Sequence, residues 1–510
     1  PHATLPTYPL PTYTYRGVAQ RRGGHGRALF SGCSSFCPVG RFLNCFVHDD
    51  MDADLDLLRR YNRSLPRYTS YPTAPHFGDD VGREAFQQTV QRSNAVAPEA
   101  PLSLYVHLPF CRQLCYYCGC HMKVTHDPAR IEKYLRYLKR EIDLLAPRLS
   151  SRRPVTQIHW GGGTPTLLAP EQIRALGAFL RDRFEVAPDV EMSIEADPRG
   201  LTEKHIAAAR AAGCTRLSLG VQTFDAQVQE AIHRVQPERL TRTAVQWARA
   251  HGFDSINTDL VYGLPHQTPE TFADTLASVL DLAPDRIALY SYAHVPSVLE
   301  HQRLIPEEAL PAPAERLRLF GHALETRTGR GGYRFIGLDH FAKPDDELAV
   351  AQQRGTLRRN FQGYSTRAGA EVYAFGISGI HQFSGLYAQN TKALRAYYDA
   401  LNRSELTVYR GCRLTKEDRL RRHVIMELMC NMTLQKEPVE DRFGVDFDAH
   451  FGAALARLRP LEADGLVALR PDEIEVRPPG RLLVRNIASA FDAYLHEAAP
   501  DEQPAYSESV

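Results

Sequence analysis

The chain has 510 residues, 43% hydrophobic and 24% charged, with 61 Lys and Arg against 60 Asp and Glu for a net charge of +1. These values exclude a disordered chain, a fibre and a polycation built to coat nucleic acid. No run of about 18 apolar residues is present, which excludes a membrane-spanning helix.

Residues 1–50 begin Pro-His-Ala-Thr and contain no Met. They carry a Pro/Tyr stretch (PTYPLPTYTY) and an Arg/Gly stretch (RGVAQRRGGHGR) with neither helical nor strand periodicity. The segment reads as a disordered or non-native extension, from translation upstream of Met51, with an Arg-rich targeting peptide as the alternative. Cys33, Cys37 and Cys45 are then accidental. Residues 51–100 read as an N-terminal arm that opens on a helical pattern (DADLDLLRRYNRSL).

From residue 101 β-rich runs recur: 103–109, 155–161, 191–197, 216–222, 255–263, 286–293 and 333–341. Amphipathic helical segments such as 130–145 and 170–185 lie between them. Alternation of this kind implies βαβ units around a parallel sheet, and six or seven units predict an α/β fold with a full or partial TIM-type β/α barrel over 101–385. No G-x-G-x-x-G follows the first strand, which counts against a dinucleotide-binding fold. Past residue 385 the pattern turns helical (392–402, 416–431, 446–464, 480–498) with a hairpin at 466–480. Residues 386–510 therefore read as a helical, winged C-terminal domain that covers one face of the barrel rather than binding nucleic acid.

Ten cysteines are too few for a disulfide scaffold, and four of them crowd into 111–120, the pattern of a metal or cluster site in a reducing compartment. Cys111, Cys115 and Cys118 form C-x3-C-x2-C directly after the first predicted strand. Three thiolates on one loop can hold three irons of a cubane and leave the fourth open to a ligand. Zinc is the rival, with Cys120 or His121 as the fourth ligand, but Cys118 and Cys120 are awkwardly close for one tetrahedral ion. Other polar residues fall at predicted strand ends: the run GGGTPT (161–166), Glu195, Asp197, Gln222 and Asp259. Each alone is an ordinary turn or cap residue. Together they line one rim of a barrel, where barrel chemistry collects.

The segments YVHLPFCRQLCYYCGC, HWGGGTPT, IEADPR, LSLGVQTF, NTDLVYGLPHQT and HFAKPDDELAVAQ, with YNRSLPRYTSYPTAPHF in the arm and GRLLVRNIASAFDAYL near the end, carry a resemblance. Together they resemble the bacterial oxygen-independent coproporphyrinogen III oxidases, a family of radical S-adenosylmethionine enzymes, from about Met51 to about Leu495. The resemblance implies a [4Fe-4S] cluster on Cys111, Cys115 and Cys118 and two S-adenosylmethionine molecules per chain. It implies that Tyr105, Tyr117, Glu195 and Ile380 contact the first of these or the cluster. Gly162, Gly163 and Thr164, with Gln222, Arg234, Asp259 and Ala293, would line the pair of cofactor sites.

The activity implied is oxidative decarboxylation of two propionates of coproporphyrinogen III to vinyl groups by a 5′-deoxyadenosyl radical, giving protoporphyrinogen IX. The implied setting is a cytoplasmic monomer served by a low-potential donor of flavodoxin or ferredoxin type. Propionates want cationic partners, for which Arg67, Lys343, Arg358 and Arg359 are candidates. A heme-binding chaperone of the same superfamily is the alternative function. Such chaperones lack the fourth cysteine and the Arg-Tyr-Thr-Ser-Tyr-Pro arm, and this chain has both, as Cys120 and residues 67–72.

Overall fold

A computed structural model describes residues 54–497 and 506–509, so the cysteines at 33, 37 and 45 lie outside the described residues. Six strands pair in chain order, each parallel to the next: β1 (Leu102–Leu108), β2 (Val155–Gly162), β3 (Val186–Ala196), β4 (Arg216–Gln222), β5 (Ser255–Tyr262) and β6 (Arg286–Ser291). Helices α1 (Pro128–Leu145), α2 (Pro170–Arg183), α3 (Glu203–Ala212), α4 (Glu238–Ala250) and α5 (Pro269–Leu282) lie between them in the chain. The first shows why these segments are helical. The Asp127 carboxylate caps the Ala129 N–H, Pro128 takes the first position, and Ile131, Leu135, Leu138, Ile142 and Leu145 bury one stripe.

The seventh expected strand is not where the sequence puts it. Residues 333–341 break into an antiparallel hairpin, β7 (Arg334–Gly337) and β8 (His340–Ala342), because Gly337 and Leu338 turn through φ of 146° and 50°. β8 runs antiparallel to β6. The seventh parallel strand is β9 (Glu371–Phe375), which pairs with β1 on its other side. From β9 the sheet continues antiparallel through β10 (Ile380–Gln382), β11 (Leu386–Asn390) and β12 (Val408–Arg413). The result is a twelve-stranded sheet with two free ends, a partial barrel and not a closed one. The sheet also passes the expected boundary at residue 385 and runs to residue 413.

Beyond it come the helices Lys416–Asn431 and Gly452–Ala463 and a three-stranded wing of Thr433–Gln435, Val467–Leu469 and Glu473–Val476. The arm is tied to this region. The Tyr68 hydroxyl donates to Asp492 at 2.9 Å, and the Arg485 guanidinium donates to the carbonyls of Leu65, Pro66, Ser507 and Glu508. Farther along the arm, Gly78 pairs with Gly411 on the β12 edge. Among the described residues no helix is long and apolar enough to cross a membrane.

Buried polar groups knit α1 to the β9–β11 sheet. Glu141 accepts from the Gly376 N–H (2.6 Å), the Asn390 amide (2.8 Å) and the hydroxyls of Tyr397 (2.8 Å) and Thr407 (2.9 Å). His381 joins this network. Its Nδ1 accepts from the Ala374 N–H at 3.1 Å, so the ring proton sits on Nε2, which donates to Asn390 Oδ1 at 3.3 Å. Burial pushes this imidazole down to about 4. Its folded value lies below its unfolded value, so on acidification the unfolded chain takes the proton first. The stability held above pH 6.5 is lost as pH falls towards 4. Relative to His381→Gln, the unmodified protein should lose roughly 3 kcal/mol over that window, read from urea unfolding at a series of pH values.

Candidate active site

The strand register builds a polar barrel interior. Alternate residues of parallel strands face inward, and pairing sets Tyr105 level with His159, His159 with Ser193, and Glu195 with Ser218. The Tyr105 and His159 rings stack at 5.8 Å. The Tyr105 hydroxyl meets His107 Nδ1 at 3.0 Å, and His107 Nε2 donates to the His121 carbonyl at 2.9 Å.

The cysteine loop leaves β1 at the C-terminal rim and is clamped by its backbone. The Phe110 carbonyl accepts from the Thr164 N–H at 2.8 Å and the Leu108 carbonyl from the Gly163 N–H at 2.8 Å. The Tyr116 N–H donates to the Ile232 carbonyl (3.0 Å), His301 Nε2 to the Cys118 carbonyl (2.7 Å), and the Gln302 amide to the Tyr117 carbonyl (3.3 Å). The thiols are thus presented by a loop whose main chain is fixed from three sides.

Their surroundings are electropositive. Arg199 Nη2 and Arg234 Nη1 stand 3.4 and 3.5 Å from Cys115 Sγ. Both guanidinium groups also hold Asp197, at 2.6 and 3.0 Å. Burial alone would raise the Asp197 carboxyl, but the two arginines bring it down to about 2. The hydrogen bond from Cys120, with Arg234 and His301 nearby, lowers the Cys118 thiol to about 6, while burial pushes Cys111 up to about 11. Cys111 Sγ lies 3.4 Å from the Thr164 hydroxyl. Two cations sharing one carboxylate beside three thiols suit an anionic thiolate-bound cluster, and the buried Arg234 Nε has no partner of its own. Among the described residues no three His, Cys, Asp or Glu side chains converge on a point as ligands of one ion would. Thiolates that each served a different iron would not have to.

The glycine run is sterically required. A Cβ at Gly161 would meet Glu195 Oε1 at 2.8 Å, and one at Gly162 (φ 114°) the His107 ring at 2.6 Å. At Gly163 the obstacle is backbone, the Pro109 carbonyl carbon at 2.7 Å and the Phe110 nitrogen at 2.8 Å. Glu195 takes the Gly162 N–H at 3.2 Å and His159 Nε2 at 3.1 Å. Burial would raise this carboxyl, but those donors hold it below the usual range. Asp259 accepts from Ser218 (3.0 Å) and Asn257 (2.9 Å), and burial together with Glu195 pushes it up to about 6. Gln222, at φ 67°, and Arg234 both reach over Gly220. The Ala293 carbonyl accepts from Gln302, which also holds Tyr117.

The structure therefore gathers Tyr105, Tyr117, the three cysteines, Gly162–Thr164, Glu195, Gln222, Arg234, Asp259 and Ala293 at one rim. Ile380 packs against the cluster of Phe77, Tyr387 and Leu414, on the arm side. Of the cationic candidates, Lys343 is bound to Asp285 at 2.8 Å at the opposite end of the barrel, and Arg358 pairs outward with Glu427 at 2.9 Å. Arg67 and Arg359 remain near the rim. His107, His159 and Arg199 are site residues that the sequence reading did not single out. The signal for His159 is parity, since Gln157, His159 and Gly161 alternate with apolar residues along β2.

Residues 105–279 match the radical SAM superfamily model, and residues 414–483 the HemN C-terminal domain model. The oxygen-independent coproporphyrinogen III oxidase of Escherichia coli is 46% identical over 89% of this chain and 98% of its own. The oxidase of the same name from Synechocystis is 43% identical over 88% of this chain and 96% of its own. That of Pseudomonas aeruginosa is 44% identical over 88% and 97%. A solved structure, the Escherichia coli coproporphyrinogen III oxidase described as a radical SAM enzyme, superposes with a TM-score of 0.82 at 44% identity, covering 87% of this chain and 99% of that one.

Proposed function

Since this chain belongs to the family of oxygen-independent coproporphyrinogen III oxidases, radical S-adenosylmethionine enzymes, we propose for it that family's reaction in full, the conversion of coproporphyrinogen III to protoporphyrinogen IX. The protein is an oxidoreductase of heme biosynthesis that uses a [4Fe-4S] cluster and S-adenosylmethionine. When bound, these cofactors supply a 5′-deoxyadenosyl radical. Each of two propionate side chains would give up one hydrogen atom from its β-carbon to that radical, one electron to a one-electron acceptor, and carbon dioxide, and become a vinyl group.

The chain's own residues serve binding and orientation. Cys111, Cys115 and Cys118 would carry the cluster, with Arg199 and Arg234 offsetting its charge. The amides at 162–164 and the carboxylate of Glu195 would hold the cofactor's amino-acid end, with Tyr105 and Tyr117 against it. With the amides at 162–164, Gln222, Arg234, Asp259 and Ala293 would line a pair of S-adenosylmethionine sites, and Ile380 would contact the first molecule or the cluster from the arm side. A buried site of this kind excludes water and stray hydrogen donors from the reacting carbon. The electron donor is of flavodoxin or ferredoxin type, and the protein works as a monomer in the cytoplasm.

The observation that carries this reading is full-length similarity to the curated oxidases, with the three thiols and the glycine run in one rim. The test is an anaerobic assay of reconstituted protein with dithionite, S-adenosylmethionine and coproporphyrinogen III, with products identified by mass spectrometry. Loss of two carbon dioxide units with formation of 5′-deoxyadenosine is expected. Formation of 5′-deoxyadenosine without decarboxylation would redirect the search to another substrate. Tight heme binding with neither product would identify a chaperone.

A further inference from the structure

Arg359 is 7% exposed and lies on a short hairpin, Arg358–Asn360 against Gly363–Ser365. Its guanidinium rests over the Tyr364 ring at 4.7 Å, and its Nε and Nη1 have no hydrogen-bond partner. Nearby, Arg67 of the arm lies over the Tyr290 ring at 5.9 Å and is ion-paired to Asp339. The two cations are close enough that Arg359, after burial itself, depresses the Arg67 pKa. Between them sits His340, edge-on to Tyr290 at 6.1 Å and to Tyr364 at 5.3 Å. Burial and the two arginines keep that imidazole neutral. Arg67 is thus matched to the Asp339 carboxylate, whereas Nε and Nη1 of Arg359 have no hydrogen-bond partner. In the β5–β6 register Asp259 pairs with Ala288 and Val261 with Tyr290, so Tyr290 stands two residues beyond the level of Asp259 on the same strand face.

We infer that Arg359, with Arg67 beside it, binds a propionate carboxylate of the tetrapyrrole. The inference rests on the reading above and adds to it the groups that decide which propionate reaches the cofactor. A carboxylate supplies the missing negative charge and two acceptors for a forked donor. A buried cation with two unmatched donors weakens the fold of the free protein, a cost that a bound carboxylate would offset.

The test uses the full chain and coproporphyrin III, the stable oxidised analogue, with binding followed by its fluorescence. Its tetramethyl ester, which has the ring but no carboxylates, is the comparison ligand. Arg359→Gln should bind the tetra-acid roughly 10- to 100-fold more weakly, as expected for loss of a charged hydrogen-bonding partner, and leave the ester unchanged. Arg359→Lys should recover part of the loss. Arg358→Gln, one residue away and paired outward, should match the unmodified protein. The melting temperature of Arg359→Gln should equal or exceed that of the unmodified protein, whereas a structural arginine would lower it. Tetra-acid binding within twofold of normal, or equal loss of acid and ester, overturns the inference and leaves the activity standing. An unmodified protein that binds neither porphyrin overturns the functional reading itself.

Discussion

Replacing Cys115 by alanine should leave a folded chain with little bound iron and no measurable formation of 5′-deoxyadenosine. The fall in activity should be on the order of a thousandfold or more, the scale seen when one member of a set that acts as a unit is removed. Cys115 is the most buried of the three loop thiols and the one faced by both Arg199 and Arg234. Its loss removes a candidate iron ligand and leaves the buried Arg234 and the half-buried Arg199 with Asp197 alone between them. The loop backbone keeps its clamps from Ile232, His301 and Gln302, so the far-ultraviolet spectrum should not change. Iron and sulfide content after anaerobic reconstitution is the direct measurement. A Cys115→Ala protein that retained a full cluster would remove Cys115 from the proposed ligand set.

Gly163→Ala should be nearly as damaging for a different reason. The added methyl would lie 2.7–2.8 Å from backbone atoms of Pro109 and Phe110, which cannot swing aside as a side chain can. Gly163 and Thr164 are themselves hydrogen-bonded to Leu108 and Phe110, so the strain passes straight into the start of the cysteine loop. Overpacking of this kind costs about 1–3 kcal/mol of stability. A displacement approaching 1 Å at a reacting centre costs on the order of a hundredfold in rate. Thermal unfolding should show the first effect, and the rate of 5′-deoxyadenosine formation by the reconstituted protein the second. Gly200→Ala is the control, because nothing lies within 4 Å of a Cβ there, and it should leave both unchanged.

Most of the barrel is written in local pattern. Six strands and the helices between them can be read from β-rich runs and amphipathic stretches, because each βα unit satisfies its own periodicity before it meets its neighbours. The exceptions mark where local pattern ends. YRFIGLDHF is apolar enough for one strand, but Gly337 and Leu338 reverse the chain inside it. EVYAF, the true seventh strand, follows a hairpin instead of a crossover helix, so nothing nearby marks it as parallel. Its partner β1 lies more than 260 residues upstream.

The candidate site divides the same way. The cysteines and glycines are legible because they are rare residues at fixed spacing. His107, His159 and Arg199 are common residues, and their roles arise from register across β1, β2 and β3 and from a turn that brings Arg199 to a thiol 84 positions away. Lys343 and Arg359 could not be ranked from sequence at all. Burial and pairing separate them: one is bound to Asp285 at the far end, the other keeps free donors near the rim.

The two free ends of the sheet have a consequence for size. In a closed barrel, strand number and stagger fix the girth, and a wider lumen requires another strand. Here the seven parallel strands hold the radical-generating machinery at constant spacing, and the perimeter is completed by antiparallel ribbons, the arm and helices. The antiparallel ribbons pair with the parallel ladder only through its two edge strands, Arg286–Ser291 and Glu371–Phe375. The chemistry and the dimensions of the guest are thereby inherited separately, and a disc as broad as a tetrapyrrole can be served by a core no larger than a small substrate would need.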